Sequence, residues 1–129
     1  MNELETAIQQ ALQAEGASQP ANKAYLELIK SNVIIPIEKN SAPEAPEVLY
    51  LLEQGMRFLP VFSNRDILDE WARPIHDQIQ VLHLSGVDLL KGIGDDITVS
   101  LNIGSPLYKE FNPAELARMK SMVLKIWPK

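Results

Sequence analysis

The chain has 129 residues, of which 46% are hydrophobic and 22% are charged, and these proportions are typical of one globular domain rather than of a disordered chain. The formal net charge is −5 and the 12 Lys and Arg residues are scattered, so we expect no nucleic-acid partner. The absence of cysteine excludes disulfides, thiolate nucleophiles and zinc-thiolate sites.

The N-terminal sequence MNELETAIQQ has acidic residues where a signal peptide needs positive charge. No run of the sequence approaches the roughly 20 apolar residues that a membrane-spanning helix needs. We therefore expect a cytoplasmic protein without membrane contact.

Two helices are predicted at the start of the chain. Apolar residues recur at helical spacing over about residues 3–14, within an N-terminal helical extension that covers residues 1–19. A second helix is expected to begin after Pro20 and to end near Asn32.

Strands follow the second helix. Residues 33–37 are short and β-branched, which favours a strand. The apolar runs 48–52 and 56–62 are separated by Glu53, Gln54 and Gly55, and this spacing predicts a hairpin. Both runs are apolar at odd and even positions, so neither face of this sheet is expected to be fully exposed to solvent.

Two prolines lie within the predicted strands. A central strand donates N–H groups to the neighbouring strands on both of its sides, and Pro36 and Pro60 have no N–H to donate. We therefore expect their strands to lie at sheet edges, where backbone groups are open to a partner.

Ser63 can cap a helix that starts at Asn64 and ends at Pro74. Beyond this helix the pattern predicts a strand, a short helical turn and another strand over residues 78–84, 85–90 and 97–103 respectively.

The last part of the chain contains a bend and a helix. Gly104, Ser105 and Pro106 break the preceding strand, and Asn112-Pro113-Ala114-Glu115 is a strong helix start. Together these elements predict a single α+β domain over residues 1–129. Its mixed sheet should have about five strands packed with three to four helices.

Motifs for catalysis are weak. The sequence around Ser105 lacks the first and last glycines of a nucleophile elbow, so Ser105 is interpreted as a turn residue. His76 and His83 are seven residues apart, which is not the spacing of a metal-binding helix pair.

The acidic pair Asp95-Asp96 could form a hard-cation site with Asp88, but the alternating acids of an EF-hand loop are missing. A solvated turn is the favoured interpretation. We therefore assign no catalytic, cofactor-binding or metal-binding residues, and we expect no cofactor. An enzyme that uses His83, Asp88 and Asp95 stays open as one alternative.

The aromatic residues are few, and we expect most of them to fill the core. Those that could instead form an interaction surface are Trp71, Tyr108, Phe111 and Trp127. Tyr108 is the best candidate for exposure because it follows a loop interrupted by proline.

Four short motifs resemble those of one known family. They are MRFLPVFS at residues 56–63, LSGVDLL at 84–90, LNIGSP at 101–106 and FNPAEL at 111–116. In this order and spacing, over about residues 21–126, the chain is similar to the N-terminal domain of the SseB family, bacterial proteins called enhanced-serine-sensitivity proteins. Members often have Asn-Pro-Gly where this chain has Asn102-Ile103-Gly104, so we expect a local difference in that turn.

The resemblance implies an α+β fold with no established catalytic activity or cofactor. We therefore expect a non-catalytic domain that binds a protein partner through a sheet edge or through a surface that includes Asn102, Ser105 and Tyr108. A small acidic secretion-chaperone-like protein is the other non-enzymatic alternative. The expected oligomeric state is a monomer or a weak dimer.

Overall fold

The computed structural model describes residues 2–15, 18–42 and 44–126. Within them the chain forms five α-helices, one 3-10 helix and six strands. The α-helices are α1 (Glu3–Gln13), α2 (Ser18–Lys30), α3 (Arg65–Trp71), α4 (Gly86–Gly92) and α5 (Pro113–Ile126), and the 3-10 helix is Arg73–Gln78. The strands are β1 (Asn32–Glu38), β2 (Leu51–Glu53), β3 (Met56–Val61), β4 (Ile79–Ser85), β5 (Ile97–Leu101) and β6 (Lys109–Phe111). The predicted α+β class is confirmed, with one helix more than expected.

The strands form two sheets. One has the order β2-β3-β5-β6, in which β3 and β5 are parallel and the other pairs are antiparallel, so this sheet is mixed. The other sheet consists of antiparallel β1 and β4. Ile34 and Phe62 join the sheets through reciprocal backbone hydrogen bonds of 3.0 and 2.9 Å. The expected single sheet is therefore two sheets joined by one bridge.

The segment before and within β2 changes its partner along its length. The amide of Glu38 in β1 donates to the carbonyl of Glu47 at 2.9 Å, and the amide of Leu49 donates to the carbonyl of Pro36 at 3.4 Å. From Leu51 onward the chain pairs with β3 instead. The predicted strand 48–52 is therefore shared between β1 and β3, which is why only its end is assigned to a strand.

The predicted hairpin between β2 and β3 is confirmed. Its two turn residues, Gln54 and Gly55, have φ values of 52° and 77°. Positive φ at both central residues defines a type I′ turn, whose twist matches that of the flanking strands. The turn fixes the register in which Glu53 lies opposite Met56.

The prediction that Pro60 marks an edge strand is wrong, because β3 lies between β2 and β5. The backbone groups of alternate strand residues point to the same side, and those of Phe62 point to β1. Pro60 therefore points its nitrogen, which carries no hydrogen, to the same side of β3. On that side Phe58 is the last residue that pairs with β2 and Phe62 is the residue that pairs with β1, so Pro60 faces the gap between them. A central strand accepts this proline because no donor is needed there.

Three helix boundaries differ from the sequence prediction. Helix α2 begins at Ser18, ahead of Pro20, because proline is tolerated in the first turn, where its missing N–H has no helical partner. The cap of α3 is Asn64, whose side chain accepts a hydrogen bond from the amide of Ile67, rather than Ser63. Helix α3 ends at Trp71, and Pro74 lies in the following 3-10 helix.

The main hydrophobic core lies between the helices and one face of the four-stranded sheet. Strand β3 contributes Leu59 and Val61 to it, strand β5 contributes Ile97, Val99 and Leu101, and Phe111 of β6 is fully buried there. Leu4 and Ile8 of α1 belong to the same core, so the N-terminal helix is part of the packed domain. Trp71 packs against Phe62 in a second cluster, and Trp127 lies outside the described residues.

Gly86 places the start of α4 directly against the end of α2. Its amide donates to the carbonyl of Ser31 at 2.7 Å. A Cβ atom at Gly86 would lie 1.9 Å from the carbonyl oxygen of Leu28 and 2.8 Å from that of Ile29. At the other end of α4, a Cβ atom at Gly92 would have no neighbour within 4 Å.

We expect Gly86→Ala to lower the free energy of unfolding by about 3 kcal/mol, because the added methyl group would overlap backbone carbonyls that cannot move independently. Gly92→Ala is the matched control and should change that free energy by less than about 0.5 kcal/mol, since alanine favours the helix and meets no atom. Urea unfolding monitored by circular dichroism measures both values. Equal losses for the two variants would contradict the close contact.

Candidate functional site

Four polar side chains meet where the parallel strands β3 and β5 end. They are Glu5, Ser63, Asn64 and Asn102, referred to below as the polar cluster. The Asn102 Oδ1 atom accepts from the Ser63 amide at 2.9 Å, and its Nδ2 atom donates to Ser63 Oγ at 3.0 Å. Ser63 Oγ and Asn64 Nδ2 both donate to Glu5 Oε2, the latter at 2.8 Å. Since the carboxyl ends of parallel strands share one edge, their loops are close enough for these bonds.

Local structure positions each member of the polar cluster. Asn102 ends β5 because it adopts a φ of 59°, a left-handed conformation that asparagine tolerates better than most residues. Asn64 caps α3 through its Oδ1 atom. Glu5 and Asn2 form a capping box at the start of α1, with bonds of 2.8 and 3.2 Å. The cluster therefore ties α1 to the loops after β3 and β5.

The Glu5 carboxylate is buried but ionised. Burial opposes ionisation, but hydrogen bonds from Ser63, Asn64 and the Asn2 amide outweigh it and hold the pKa of Glu5 below its ordinary 4.5. Glu27 on α2 is also buried, and its pKa is lowered despite burial by contacts with Lys23 and Lys30. Both carboxylates are therefore stabilised in the charged form by fixed partners.

The three residues predicted for an interaction surface lie in different environments. Asn102 is 0% exposed, so its side chain bonds to Ser63 inside the protein and does not reach solvent. Ser105 closes the turn, because its Oγ atom donates to the Asn102 carbonyl at 2.8 Å and accepts from the Leu107 amide at 3.1 Å. Tyr108 is half-buried. Of the predicted surface, Tyr108 is the residue with a large side chain that reaches solvent.

Tyr108 lies against the face of the four-stranded sheet opposite the main core, and its hydroxyl donates to the Glu110 carboxylate. Burial, the bond to Glu110 and the negative charges of Glu110 and Glu53 raise the pKa of Tyr108 to about 12, against a smaller opposing effect of Ser100.

The acidic and histidine candidates are not assembled into one site. His83 is exposed on β4, opposite Ile34, and Asp88 is exposed in the first turn of α4. Asp95 pairs with Lys120 at 3.3 Å. Over residues 2–15, 18–42 and 44–126, no hydrogen bond or ion pair joins His83, Asp88 and Asp95.

The second acidic candidate, Asp96, forms a bidentate pair with Arg57 at 3.0 and 2.9 Å. Burial is absent, and the hydrogen bond from Arg57 is the main reason that the pKa of Asp96 is lowered. In the part of the chain that the structure describes, no three His, Asp or Glu residues are placed to hold a metal ion. No helix there is long and apolar enough to cross a membrane.

An open sheet edge runs along the residues that lead into and form β2. This edge segment, residues 47–53, pairs with β1 at Val48 and with β3 from Leu51 onward, and β2 is the terminal strand of its sheet. Glu47 and Leu49 use their backbone groups on the β1 side. In β2 alternate residues point their backbone groups to opposite sides, and the two-residue turn makes Glu53 and Met56 a hydrogen-bonded pair, so the backbone groups of Leu52 point outward.

The edge segment has two chemically different faces. Val48, Tyr50 and Leu52 lie on one face, where Arg57 is placed 5.3 Å from the centre of the Tyr50 ring. Val48 and Tyr50 also line a depression of about 160 Å³ together with Leu82 and Leu84 of β4. The opposite face of β2 carries Leu51 and Glu53.

Large apolar side chains at this hairpin are exposed on both faces. Leu52 is 74% exposed, Met56 53% and Tyr50 40%. The expectation that neither face of this sheet is fully exposed is confirmed, because Leu59, Pro60 and Val61, which alternate between the two faces, are buried further along β3.

These features define a small α+β domain with a mixed sheet, a helical layer on one face and an open edge. The chain matches the family model described as "SseB protein N-terminal domain" over residues 4–118. The chain therefore belongs to this family, and the match includes α1. No curated protein matches the chain, and no solved structure does.

The sequence prediction missed the polar cluster and the position of the open edge. A signal for Glu5 is visible in the sequence, since Asn2-Glu3-Leu4-Glu5 has capping-box spacing. The contacts of Glu5 with Ser63 and Asn64 join residues far apart in the chain, and no local pattern indicates them.

We expect Glu5→Ala to lower the free energy of unfolding by about 2 to 3 kcal/mol, because the side chains of Ser63 and Asn64 would lose a charged acceptor. Glu3→Ala removes a carboxylate from the same helical turn without these contacts, so its loss should stay below about 1 kcal/mol. Chemical denaturation at pH 7 compares the two variants. Equal losses of stability in Glu5→Ala and Glu3→Ala would show that Glu5 stabilises the fold only through its charge at the N-terminus of α1.

The same carboxylate should make stability depend on pH. The pKa of Glu5 is lower in the folded protein, so its stabilisation is complete above the ordinary pKa of 4.5 and is lost as the pH falls through the folded-state pKa. Glu5→Gln should flatten the acid side of the stability profile. A profile identical to that of the unmodified chain would contradict this assignment.

Proposed function

We propose that this chain is a non-catalytic protein-interaction domain of the SseB type, and that it binds its partner through the edge segment. The observation that carries the proposal is the pair of exposed apolar side chains Tyr50 and Leu52, which share one face of the β2–β3 hairpin beside the depression lined by Val48 and Tyr50. Single exposed apolar residues are common on protein surfaces, but adjacent ones beside a depression are typical of binding sites.

The edge itself supports the same proposal. Natural proteins usually protect an exposed strand edge with lysine, proline or a covering element, because unpaired backbone groups promote association. Here the outward residue of β2 is Leu52, which gives no such protection. An edge of this kind is suited to a partner that covers it.

The buried carboxylates support a structural role for the polar residues. A general acid at neutral pH needs a raised pKa, whereas the pKa values of Glu5 and Glu27 are lowered. Their partners are side chains and backbone groups of the same chain. The proposal also includes a cytoplasmic location, supported by the absence of cysteine.

The proposal can be tested by placing a photoreactive phenylalanine analogue at Leu52 and, in a second variant, at Leu124. Both leucines are highly exposed, Leu124 at 65% on α5. We expect irradiation in cells that express the protein to give one discrete adduct from position 52 and none of the same mass from position 124. The partner is then identified from the adduct and purified.

Leu52→Asp should weaken the purified complex by about 2 kcal/mol, the loss typical of a central interface residue. Leu124→Asp should leave the affinity within about twofold, because it lies outside the proposed interface. Calorimetric titration measures both. No adduct from position 52, or equal weakening by both substitutions, would refute the proposed function.

A further inference from the structure

We propose that the outer edge of β4, meaning the outward backbone groups of Ile79, Val81 and His83, pairs with the same edge of a second copy of this chain. The dimer would contain one antiparallel sheet of the order β1-β4-β4-β1, with two strands from each copy. This inference goes beyond the proposed function and does not rest on it, because residues 47–49 lie on the other side of β1 from β4.

The pairing of β1 shows which backbone groups of β4 point outward. Ile34 bonds to Phe62 through both its N–H and its C=O group, on the side of β1 away from β4. Ile34 lies opposite His83, so these two residues form a pair without hydrogen bonds, and the backbone groups of His83 point away from β1. Alternate residues of a strand share this orientation, so the groups of Ile79 and Val81 point outward as well.

The outer edge of β4 is regular and unpaired. All 7 residues of β4 pair with β1 in one register. The amide of Lys39 donates to the carbonyl of Gln78 at 3.2 Å, which continues the same alternation before the start of β4. Among the described residues, no backbone hydrogen bond reaches the outward groups of β4. Strands β2 and β6, which end the other sheet, have 3 residues each, so β4 offers a longer edge than either.

The side chains of β4 favour a second copy as the occupant. In an antiparallel two-fold pair centred on Val81, Val81 lies opposite Val81 of the other copy, and Ile79 lies opposite His83 of the other copy. The strand contains no Asp, Glu, Lys or Arg, so no like charges meet in this pair. It also lacks the lysine or proline that usually protects an exposed edge. A charged segment of another protein would find no opposite charge along β4.

The size of this interface sets the strength expected of the dimer. The three outward residues of each copy would form about six backbone hydrogen bonds between the strands. A single strand pair of this length is smaller than the roughly 1,200 Å² of buried surface that is typical of stable complexes. We therefore expect a reversible dimer with a Kd on the order of 10 to 100 µM.

Sedimentation velocity tests self-association through the backbone of β4. His83→Pro removes an outward N–H that β1 does not use, so the fold should persist. The Kd of its dimer should rise at least roughly tenfold, because the two-fold axis repeats the loss at both ends of the pair. His83→Thr keeps the N–H and should change the Kd by less than about threefold.

Two results of this experiment would overturn the inference. One is a chain that stays monomeric at about 500 µM, well above the expected Kd. The other is the same Kd for His83→Pro and the unmodified chain, with circular dichroism showing that the variant is folded.

Cysteine cross-linking tests the register and does not depend on the proline variant, and the chain has no cysteine of its own. Val81→Cys would place two thiols opposite each other at the two-fold axis, where the Cα atoms are about 5.5 Å apart, within the range that a disulfide spans. Oxidised glutathione should therefore link this variant into a covalent dimer. Leu52→Cys, at the exposed end of β2, is the matched control and should give roughly tenfold less dimer. Equal cross-linking at both positions, or none at position 81, would contradict a pair centred on Val81.

The outcomes for this inference and for the proposed function can be told apart, because they concern different edges. Loss of the dimer in His83→Pro without any adduct at position 52 would retain the inference and refute the proposed function. A discrete adduct at position 52 from a chain that never dimerises would do the reverse. An adduct at position 52 with the mass of two chains, together with cross-linking of Leu52→Cys but not of Val81→Cys, would place the second copy at β2 and overturn the inference.

Discussion

The parallel pairing of β3 with β5 is the constraint on which the rest of the structure depends. It places Leu59 and Val61 of β3 beside Val99 and Leu101 of β5 in the main core. It also brings the loops after the two strands together, where Ser63 and Asn102 bond to each other. These loops are polar and buried, and a buried polar group without a partner would be costly. The Glu5 carboxylate of α1 completes this set of bonds, so the N-terminal helix and the sheet stabilise each other.

The open edge is a consequence of how the chain returns to this sheet. Residues 47–49 pair with β1, and β2 pairs with β3. Since β2 is the terminal strand of its sheet, the side of β2 that faces away from β3 is left open. The type I′ turn at Gln54 and Gly55 fixes the register, and this register assigns Tyr50 and Leu52 to one face and Glu53 to the other. The chemical asymmetry of the edge thus results from a two-residue turn.

Local signals were sufficient where a few neighbouring residues determine the conformation. The helix start at Asn112 is an example, since Asn112 and Glu115 form reciprocal capping bonds of 2.9 and 3.0 Å. Ser85 likewise caps α4 as its position before Gly86 suggests. The family motifs were also recognisable, because they consist of such turns and caps. The interaction surface at Asn102, Ser105 and Tyr108 stays a prediction, and local signals indicated neither Leu52 nor the polar cluster.

The sequence by itself determined the α+β class, the hairpin, most helices and the absence of thiol chemistry, because these follow from composition and from contacts within a few residues. Only the tertiary structure decided that β3 is central despite Pro60, that Glu5 meets Ser63, and which side of the edge segment stays open. These features depend on which distant strands become neighbours. Strand pairing is set by burial across the whole domain, and a local sequence pattern does not contain that information.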